Sequence, residues 1–424
     1  MAAKRLVIIG LDGVPFRMIS DFADTGLMPN TATLFNEGTL RKMQSSIPEI
    51  SSVAWSSIIT GENPGRHGIF GFTDLRPGSY DLRFPNFADL RAPAFWESAP
   101  GKSVILNVPS TYPVRPMNGV HISGFVSIDI NRSVHPQQLI PKLRDIDYRL
   151  DVDSQLAHKD IEMFLQDLDA TLAARIEAAM FLWNCIEWQT FMLTFTGTDR
   201  LMHFAFDAYE DPHHKLHDRF LEHFRKIDDC IGRLLSQMQD TDALMMLSDH
   251  GFERLQTDVY INHLLAAEGF LSFDPPDARD LAHLSPATKA FAMDPARIYV
   301  NTTDRFPAGG VRPDQKQKVL QQLSELFRTF EITHTPVIKH IYQKQHIYEG
   351  PYVDHGPDLV LVPEKGFNLK GKPAAETLTD TGPFRGKHTQ HDAFLFVRNA
   401  EVNAAAEPTV TDAGRLIKEI IARR

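Results

Sequence analysis

Short apolar runs alternate with longer amphipathic stretches along most of the chain. Because these runs are brief and apolar throughout, they are typical of strands buried on both faces of a mostly parallel sheet. The runs predict strands at residues 5–11, 103–108, 190–196, 243–247, 358–362 and 393–397.

The stretches between these runs repeat their apolar positions with a helical period. In the stretch 214–238, for example, Phe220, Phe224 and Ile227 fall on one face. Helices are predicted at residues 160–189, 214–238, 315–330 and 412–422. The alternation of strands and helices predicts an α/β fold with a doubly wound, mostly parallel sheet and helices on both faces.

Two regions interrupt the alternation. Residues 75–150 are rich in proline, asparagine and aromatic residues, and residues 255–300 are rich in loops. Both are interpreted as insertions or lids over the sheet, since long irregular segments in a compact domain are usually functional. No clean linker separates them from the rest, so residues 1–424 are predicted to form one catalytic domain.

Composition limits the partners. With 43% hydrophobic and 23% charged residues, the chain is typical of globular proteins, and its net charge of −10 disfavours binding to long nucleic acid. A small phosphorylated metabolite remains a suitable partner, because bound cations can reverse the local field.

No segment approaches the roughly 20 apolar residues of a membrane span, and the first apolar run is interpreted as a strand, not a signal peptide. A cytoplasmic protein is therefore expected.

Three of the predicted strands run directly into an aspartate. Asp12 follows the first run, Asp199 follows Gly197-Thr198, and Asp249 follows Ser248. The carboxyl ends of parallel strands line the crevice in which ligands bind. Three carboxylates would repel one another there, and divalent cations would relieve the repulsion.

Histidines accompany these carboxylates. Asp199 and His203 are four residues apart and would share one face of a helix. His250 follows Asp249 directly, and His388 lies in a polar loop before the last strand. Ligands of this kind without cysteine favour Zn²⁺ or Mn²⁺.

Ser51 begins an apolar helical stretch that stops at Gly61. A serine there meets unpaired N–H groups and the positive end of the helix dipole, where a phosphoryl group could bind. Considered singly, a serine at this place is more often an N-cap than a nucleophile, and an aspartate at a strand end is more often a helix cap or turn former than a ligand.

The order of these residues along the chain and the residues around them favour functional roles over structural ones. The chain resembles the alkaline phosphatase superfamily, and within it the type I phosphodiesterase/nucleotide pyrophosphatase branch. The motifs that carry the resemblance span nearly the whole chain and are Asp12-Gly13, the segment 48–55, Thr60-Gly61, His67-Gly68-Ile69, Asp199 with His203, the segment 248–251 and Gly386-Lys387-His388.

The resemblance implies two divalent metal ions, Zn²⁺ or Mn²⁺. The first would be held by Asp199, His203 and His388, and the second by a set comprising Asp12, Asp249 and His250. Ser51 would contact the metals and act as the nucleophile. The branch usually carries threonine at this position, so serine is a modest departure.

Substrate contacts are less well defined by the sequence. The backbone N–H of Ser52 and the side chains of Arg200 and Lys387 are candidates for binding phosphoryl oxygens. Arg200 could instead anchor a neighbouring ligand.

The predicted function is hydrolysis of a small phosphodiester, nucleotide-like or other, through a phosphoseryl intermediate. A phosphomonoesterase or phosphonate hydrolase of the same superfamily is the first alternative. A catalytically inactive ligand-binding homologue is the alternative from another class. Substrate identity and oligomeric state are left open by the sequence.

Overall fold

A computed structural model describes residues 5–278, 280–401 and 405–423, which form two compact units. The first unit takes residues up to 62, residues 86–252 and residues from 388 onward. The second takes residues 63–85 and 253–387. Both segments of the second unit therefore interrupt the sequence of the first.

The strands and helices of both units are numbered here along the chain. The strands are β1 (Leu6–Leu11), β2 (Thr39–Met43), β3 (Asp74–Leu75), β4 (Leu82–Arg83), β5 (Ser103–Leu106), β6 (Gly119–Ile122), β7 (Val134–His135), β8 (Thr190–Phe195), β9 (Ala243–Leu247), β10 (Gly251–Arg254), β11 (Thr257–Tyr260), β12 (Ala290–Met293), β13 (Arg297–Val300), β14 (Glu331–Ile332), β15 (Thr335–Pro336), β16 (Ile338–Gln343), β17 (Leu359–Pro363), β18 (Phe367–Lys370), β19 (Thr379–Asp380), β20 (Gly386–Thr389) and β21 (Ala393–Arg398). The α-helices are α1 (Phe16–Asp24), α2 (Pro29–Asn36), α3 (Ser51–Thr60), α4 (Pro64–His67), α5 (Ile130–Ser133), α6 (Ile140–Asp145), α7 (Ile161–Cys185), α8 (Gly197–Glu210), α9 (His217–Leu235), α10 (Ile261–Ala267), α11 (Lys316–Thr329), α12 (Lys344–Ile347) and α13 (Val410–Ala422).

The first unit is built on a sheet whose described strands lie in the order β2-β21-β9-β1-β8-β5-β6-β7. Its central strands, from β9 to β6, are all parallel. The edges are antiparallel, because β21 runs against β9 and β7 runs against β6. Every residue of β1, β8 and β9 is buried, as the apolar runs predict. The expected α/β fold is confirmed.

Helix α3 packs closely against the sheet at Gly10. A Cβ atom at Gly10 would lie 2.6 Å from the ring of Trp55, so the strand must carry glycine where this ring crosses it. Helix α13 also packs against α3, because a Cβ at Gly414 would lie 2.4 Å from the carbonyl oxygen of Ile58. These two close approaches hold α3 against β1 and against α13.

All four predicted helices are present, three of them with shorter bounds. The helix expected at residues 160–189 is α7, which begins after Asp160, whose carboxylate accepts hydrogen bonds from the N–H groups of Glu162 and Met163. The stretch 214–238 forms α9, and 315–330 forms α11. Helix α13 begins two residues before the predicted start, with a capping box between Thr409 and Asp412.

The strand predicted at residues 358–362 forms as β17, but its assignment to the parallel sheet is wrong. It lies in the second unit, in an antiparallel sheet with the order β12-β13-β17-β16. Its residues Leu359–Val362 are buried as in the main sheet. Burial alone therefore could not distinguish the two sheets.

The regions interpreted as insertions fall in different units. Residues 86–150 belong to the first unit, and they supply β5, β6 and β7 to its sheet. Residues 75–85 and 255–300 belong to the second unit. Among the described residues, no helix is both long enough and apolar enough to cross a membrane.

Candidate metal centre and nucleophile

Three neighbouring strands of the first unit bring the predicted carboxylates together. Strands β9, β1 and β8 are adjacent and parallel, so their carboxyl ends share one edge of the sheet. Asp12 directly follows β1, and Asp249 follows β9 after one serine. Asp199 lies in the first turn of α8, just after β8. All three side chains are buried.

The first cluster comprises Asp199, His203 and His388. On α8, Asp199 and His203 are separated by one turn, and Asp199 Oδ1 lies 3.4 Å from His203 Nε2. His388 Nε2 lies 3.0 Å from both Asp199 Oδ1 and His203 Nε2. The three residues expected to share a metal therefore present their ligand atoms to one point.

A backbone carbonyl sets the tautomer of His388. Its Nδ1 lies 3.0 Å from the carbonyl oxygen of Glu49, which can only accept, so Nδ1 carries a proton and donates it. In the neutral ring, Nε2 then has a lone pair directed at a carboxylate oxygen and another imidazole nitrogen. That arrangement is stabilised by positive charge between the three atoms, either a proton on Nε2 or a metal ion.

The second cluster comprises Asp12, Asp199 and His250. His250 Nε2 lies 3.8 Å from Asp12 Oδ1 and 4.0 Å from Asp199 Oδ1. Asp249 Oδ2 is closer to this nitrogen, at 3.3 Å. The other oxygen of Asp249 accepts a hydrogen bond of 3.0 Å from the N–H of Gly13. The residues expected at the second metal thus lie together, and Asp199 reaches both clusters.

His250 has the same arrangement as His388. Its Nδ1 donates to the carbonyl oxygen of Gly251 at 3.1 Å, so in the neutral ring Nε2 carries the lone pair. Ser51 Oγ lies 3.1 Å from this Nε2. The nucleophile predicted from the sequence is therefore in contact with the second cluster.

Ser51 is not an N-cap. The helix cap is Ile50, and Ser51 is the first residue of α3, with its hydroxyl turned to the second cluster. Val53 and Ala54 donate their N–H groups to the carbonyl oxygen of Ile50, whereas the N–H groups of Ser51 and Ser52 precede the first helical hydrogen bond and point towards the same end. The hydroxyl of Ser52, also in this turn, is buried without a hydrogen-bond partner in the described part of the chain. An anion held near Ser51 would meet these donors.

Burial and neighbouring charges shift the pKa values of the three carboxyl groups in different directions. Burial raises the pKa of Asp12, and the charges of Asp249 and Asp199 raise it further. Burial also raises the pKa of Asp249, to about 6. For Asp199, burial acts in the same direction, but His203 and His388 outweigh it and hold its pKa well below the usual range.

Burial and neighbouring groups also shift the pKa values of the imidazoles. Burial lowers the pKa of His250 well below its usual value, and the charge of His388 lowers it further. Burial alone would lower the pKa of His388 too, but its hydrogen bond with Asp199 raises it. The first cluster therefore attracts positive charge, whether a proton or a metal ion.

The ligand atoms fit divalent cations. Among the described residues, the buried Asp12 Oδ1 and Asp249 Oδ2 have no hydrogen-bond donor. Buried carboxylate oxygens without donors are costly unless a cation neutralises them. Their setting, beside imidazole nitrogens whose lone pairs face inward, matches the nitrogen and oxygen ligands of Zn²⁺ or Mn²⁺.

The two candidate cations for substrate binding are already paired. Arg200 donates from Nη2 to Asp151 Oδ2 at 3.0 Å, and its Nη1 lies 3.6 Å from Asp199 Oδ2. Lys387 belongs to the second unit, where its Nζ donates to Glu253 Oε1 at 3.0 Å. Arg200 therefore contacts a predicted ligand, as in the alternative considered for it.

Sequence reasoning missed Phe252 and Asp151. The ring of Phe252 packs against three imidazoles, with centroid distances of 4.9 Å to His203, 5.1 Å to His388 and 5.9 Å to His250. Its position directly after Asp249-His250-Gly251 was an available signal. Asp151 had none, because it lies 49 residues from Arg200 in the sequence.

Comparison with known proteins points in the same direction as this geometry. A family model described as type I phosphodiesterase/nucleotide pyrophosphatase matches residues 6–390. No curated protein sequence matches the chain. The family match spans every residue of both clusters.

Similar solved structures share the fold over nearly the whole chain. Phosphonoacetate hydrolase from Sinorhizobium meliloti 1021, in complex with phosphonoacetate, is 15% identical with a TM-score of 0.64, covering 99% of this chain and 96% of the other. An inactive variant of murine ectonucleotide pyrophosphatase/phosphodiesterase 5 with AMP is 13% identical with a TM-score of 0.56, covering 99% and 95%. The alkaline phosphatase PafA is 11% identical with a TM-score of 0.59, covering 100% and 96%. At these identities the likeness establishes the fold.

Proposed function

The chain belongs to the type I phosphodiesterase/nucleotide pyrophosphatase family of phosphoric ester hydrolases, and on this premise we propose that it hydrolyses a small phosphodiester with Ser51 as nucleophile. A nucleotide-like diester is the proposed substrate class. A phosphoseryl intermediate links the two halves of the reaction.

One observation carries this proposal. Ser51 Oγ lies 3.1 Å from His250 Nε2, at the N-terminal end of a buried helix and beside three converging carboxylates. A serine that served only the helix would direct its hydroxyl to a backbone N–H of the first turn. Here the hydroxyl faces the ligand atoms, where a nucleophile must be activated.

Two divalent ions would be held by the residues already described. Asp199, His203 and His388 would hold the first, and Asp12, Asp249 and His250 would hold the second. When bound, such ions lower the pKa of a nearby hydroxyl and stabilise a departing oxygen without a separate general acid.

The chain's own groups then define the reaction. The hydroxyl of Ser51 gives its proton to water, and its Oγ forms a bond to phosphorus. The bond from phosphorus to the leaving ester oxygen breaks, and this oxygen departs and takes up a proton from water. The backbone N–H groups of Ser51 and Ser52, at the start of α3, donate to the equatorial phosphoryl oxygens. Water then attacks phosphorus, the bond to Ser51 Oγ breaks, and a phosphomonoester and free Ser51 are released.

Charge favours a diester over a monoester. A diester carries one negative charge, whereas a monoester carries close to two at neutral pH. The guanidinium of Arg200 is paired with Asp151 and Asp199, and the ammonium of Lys387 with Glu253. The two cationic side chains that are candidates for binding phosphoryl oxygens are thus already paired with carboxylates.

A substrate panel tests the proposal. Metal-stripped protein would be supplied with Zn²⁺ or Mn²⁺ in turn and assayed on bis(nitrophenyl) phosphate, nitrophenyl phosphate and phosphonoacetate. We expect kcat/KM for the diester to exceed that for the monoester by at least about tenfold, which corresponds to a difference of about 1.4 kcal/mol in transition-state stabilisation. Ser51→Ala, prepared identically, controls for a contaminating phosphatase.

The other possible outcomes of the substrate panel would each identify a different function. A preference for the monoester or for phosphonoacetate would replace the phosphodiesterase with the corresponding hydrolase. Metal binding without turnover of any substrate would indicate an inactive homologue.

A further inference from the structure

The two carboxylate oxygens of Asp199 have different partners. Oδ1 lies 3.0 Å from His388 Nε2 and 3.4 Å from His203 Nε2, within the first cluster. Oδ2 lies 3.6 Å from Nη1 of Arg200. The orientation of this carboxylate therefore depends on a cation held on its far side.

Arg200 is in turn held in place by two groups. Its Nη2 donates to Asp151 Oδ2 at 3.0 Å. Its guanidinium carbon lies 3.9 Å from the centroid of the Phe125 ring, a stacking arrangement that suits arginine. One edge of the guanidinium is thus fixed by Asp151, and this leaves Nη1 facing Asp199.

Asp151 lies on an anchored stretch of backbone. Arg175, a buried residue of α7, donates from Nη2 to the carbonyl oxygen of Leu150 and from Nη1 to the hydroxyl of Thr196. Thr196 is the residue immediately before α8. Arg175 therefore ties the backbone beside Asp151 to the start of the helix that carries Asp199.

We propose that Asp151 is a positioning residue for the first metal, and that it acts through Arg200. By fixing Arg200, it holds Oδ2 of Asp199 outward and turns Oδ1 towards His203 and His388. Partners that orient metal ligands in this way commonly affect affinity by 10–100-fold. The inference rests on the proposed function only in requiring that the site binds metal.

The competing role for Arg200 is contact with the substrate. The geometry favours the positioning role, because Nη2 is bonded to Asp151 and Nη1 faces Asp199. The two roles differ in what they affect. A substrate contact changes KM and leaves metal affinity intact, whereas a positioning residue changes metal affinity and the ligand field.

Asp151→Asn tests the proposal, with Asp153→Asn as the matched control. Asp153 is also an aspartate of this segment, but it is exposed and its carboxylate accepts from the N–H of Gln155. Zn²⁺ affinity would be measured by competition with a chromophoric chelator, and the ligand field by the visible spectrum of the Co²⁺-loaded protein. Neither measurement depends on turnover.

We expect Asp151→Asn to weaken one of two Zn²⁺ sites by 10–100-fold and to alter the Co²⁺ spectrum. It should lower kcat for the diester more than it raises KM. Asp151→Glu, which keeps the charge, should recover part of the affinity, and Asp153→Asn should match the wild type. A merely structural role would not produce this rescue together with a changed spectrum.

Wild-type affinity and spectrum in Asp151→Asn would overturn the proposal. A raised KM with unchanged metal binding would also overturn it and assign Arg200 to the substrate. Should Asp151→Asn fail to fold, by circular dichroism of the metal-free protein, Asp151→Glu decides alone, since its longer side chain must shift the Co²⁺ spectrum. A wild-type protein that binds metal but hydrolyses nothing would defeat the proposed function without affecting this inference.

Discussion

Backbone carbonyls determine which nitrogen of two histidines is available to a ligand. The carbonyl oxygens of Glu49 and Gly251 accept the Nδ1 protons of His388 and His250. Each Nε2 is thereby left to face the carboxylates. Since a metal ligand must present a lone pair, these two hydrogen bonds prepare the rings for cations before any cation arrives.

Substitutions of Ser51 test its role as the nucleophile. Ser51→Ala should reduce turnover by several orders of magnitude, because nucleophilic attack and metal activation both pass through its oxygen. Ser51→Thr should retain measurable activity, since it keeps the hydroxyl. Quenching the wild type during turnover and mapping the phosphopeptide should place phosphate on Ser51. A label on Ser52, or full activity in Ser51→Ala, would contradict the assignment.

Substitution of Asp249 tests whether it is a metal ligand. Asp249→Asn should abolish turnover and yet stabilise the metal-free protein above pH 7. Asparagine keeps an acceptor for the N–H of Gly13 and can donate to His250 Nε2, and it carries no charge among buried carboxylates.

The expected stabilisation has a defined pH dependence. Burial raises the pKa of Asp249 to about 6, so the metal-free wild type loses stability as the pH rises from about 4 through 6. Thermal melts of both stripped proteins should differ by roughly 1–3 kcal/mol at pH 8 and converge below about pH 4. If Asp249 only shaped a turn, Asp249→Asn would remain active.

At the scale of elements, helix α3 and strand β1 deliver the nucleophile and one carboxylate to the same place. Their separation is set where Trp55 crosses Gly10, two residues before Asp12. Helix α13 also packs closely against α3, at Gly414. The position of Ser51 relative to Asp12 is therefore determined by packing at glycines.

We expect Gly10→Ala to destabilise the protein by about 1–3 kcal/mol and to lower kcat. The new Cβ would lie 2.6 Å from the Trp55 ring, so α3 must move and carry Ser51 with it. Urea unfolding and steady-state kinetics would measure the two effects. Trp55→Phe in the same background should restore part of the stability, because a smaller ring makes room. Additive effects of the two substitutions would argue against the contact.

At the scale of the whole molecule, metal binding and folding are coupled through the first unit. Asp12, Asp199 and Asp249 come from three strand ends that are far apart in the sequence, so the site exists only in the folded chain. Without cations, their repulsion opposes folding. Metals that bind only the folded state stabilise it by mass action.

Elemental analysis of the purified protein should therefore find close to two transition metals per chain. Removing them should lower the melting temperature, and adding Zn²⁺ or Mn²⁺ at 100 times the dissociation constant should restore about 2.7 kcal/mol per site. Ser51→Ala, which keeps the carboxylates and imidazoles, should still be stabilised by added metal ions. A protein that contains no metal, and whose melting temperature no added metal ion changes, would exclude the two-metal site.

The sequence by itself determined the elements of the main sheet and the ends of its strands. The runs leading to Asp12, Asp199 and Asp249 are uniformly apolar because they are buried on both faces, and a polar residue can follow only where the strand leaves the core. The spacing of Asp199 and His203 determined their common face on α8. The motif order determined the family.

Only the tertiary structure decided how distant groups meet. β17 has the burial of a parallel strand but pairs antiparallel in the second unit, because pairing depends on the path of the chain and not on apolarity. Asp151 reaches Arg200 only because folding brings its segment to the start of α8. Likewise, the carbonyl oxygen of Glu49 meets His388 across 339 positions of sequence. Local sequence patterns encode the burial of a segment and its helical or strand periodicity. Contacts between residues distant in the sequence arise instead from the packing of the whole first unit.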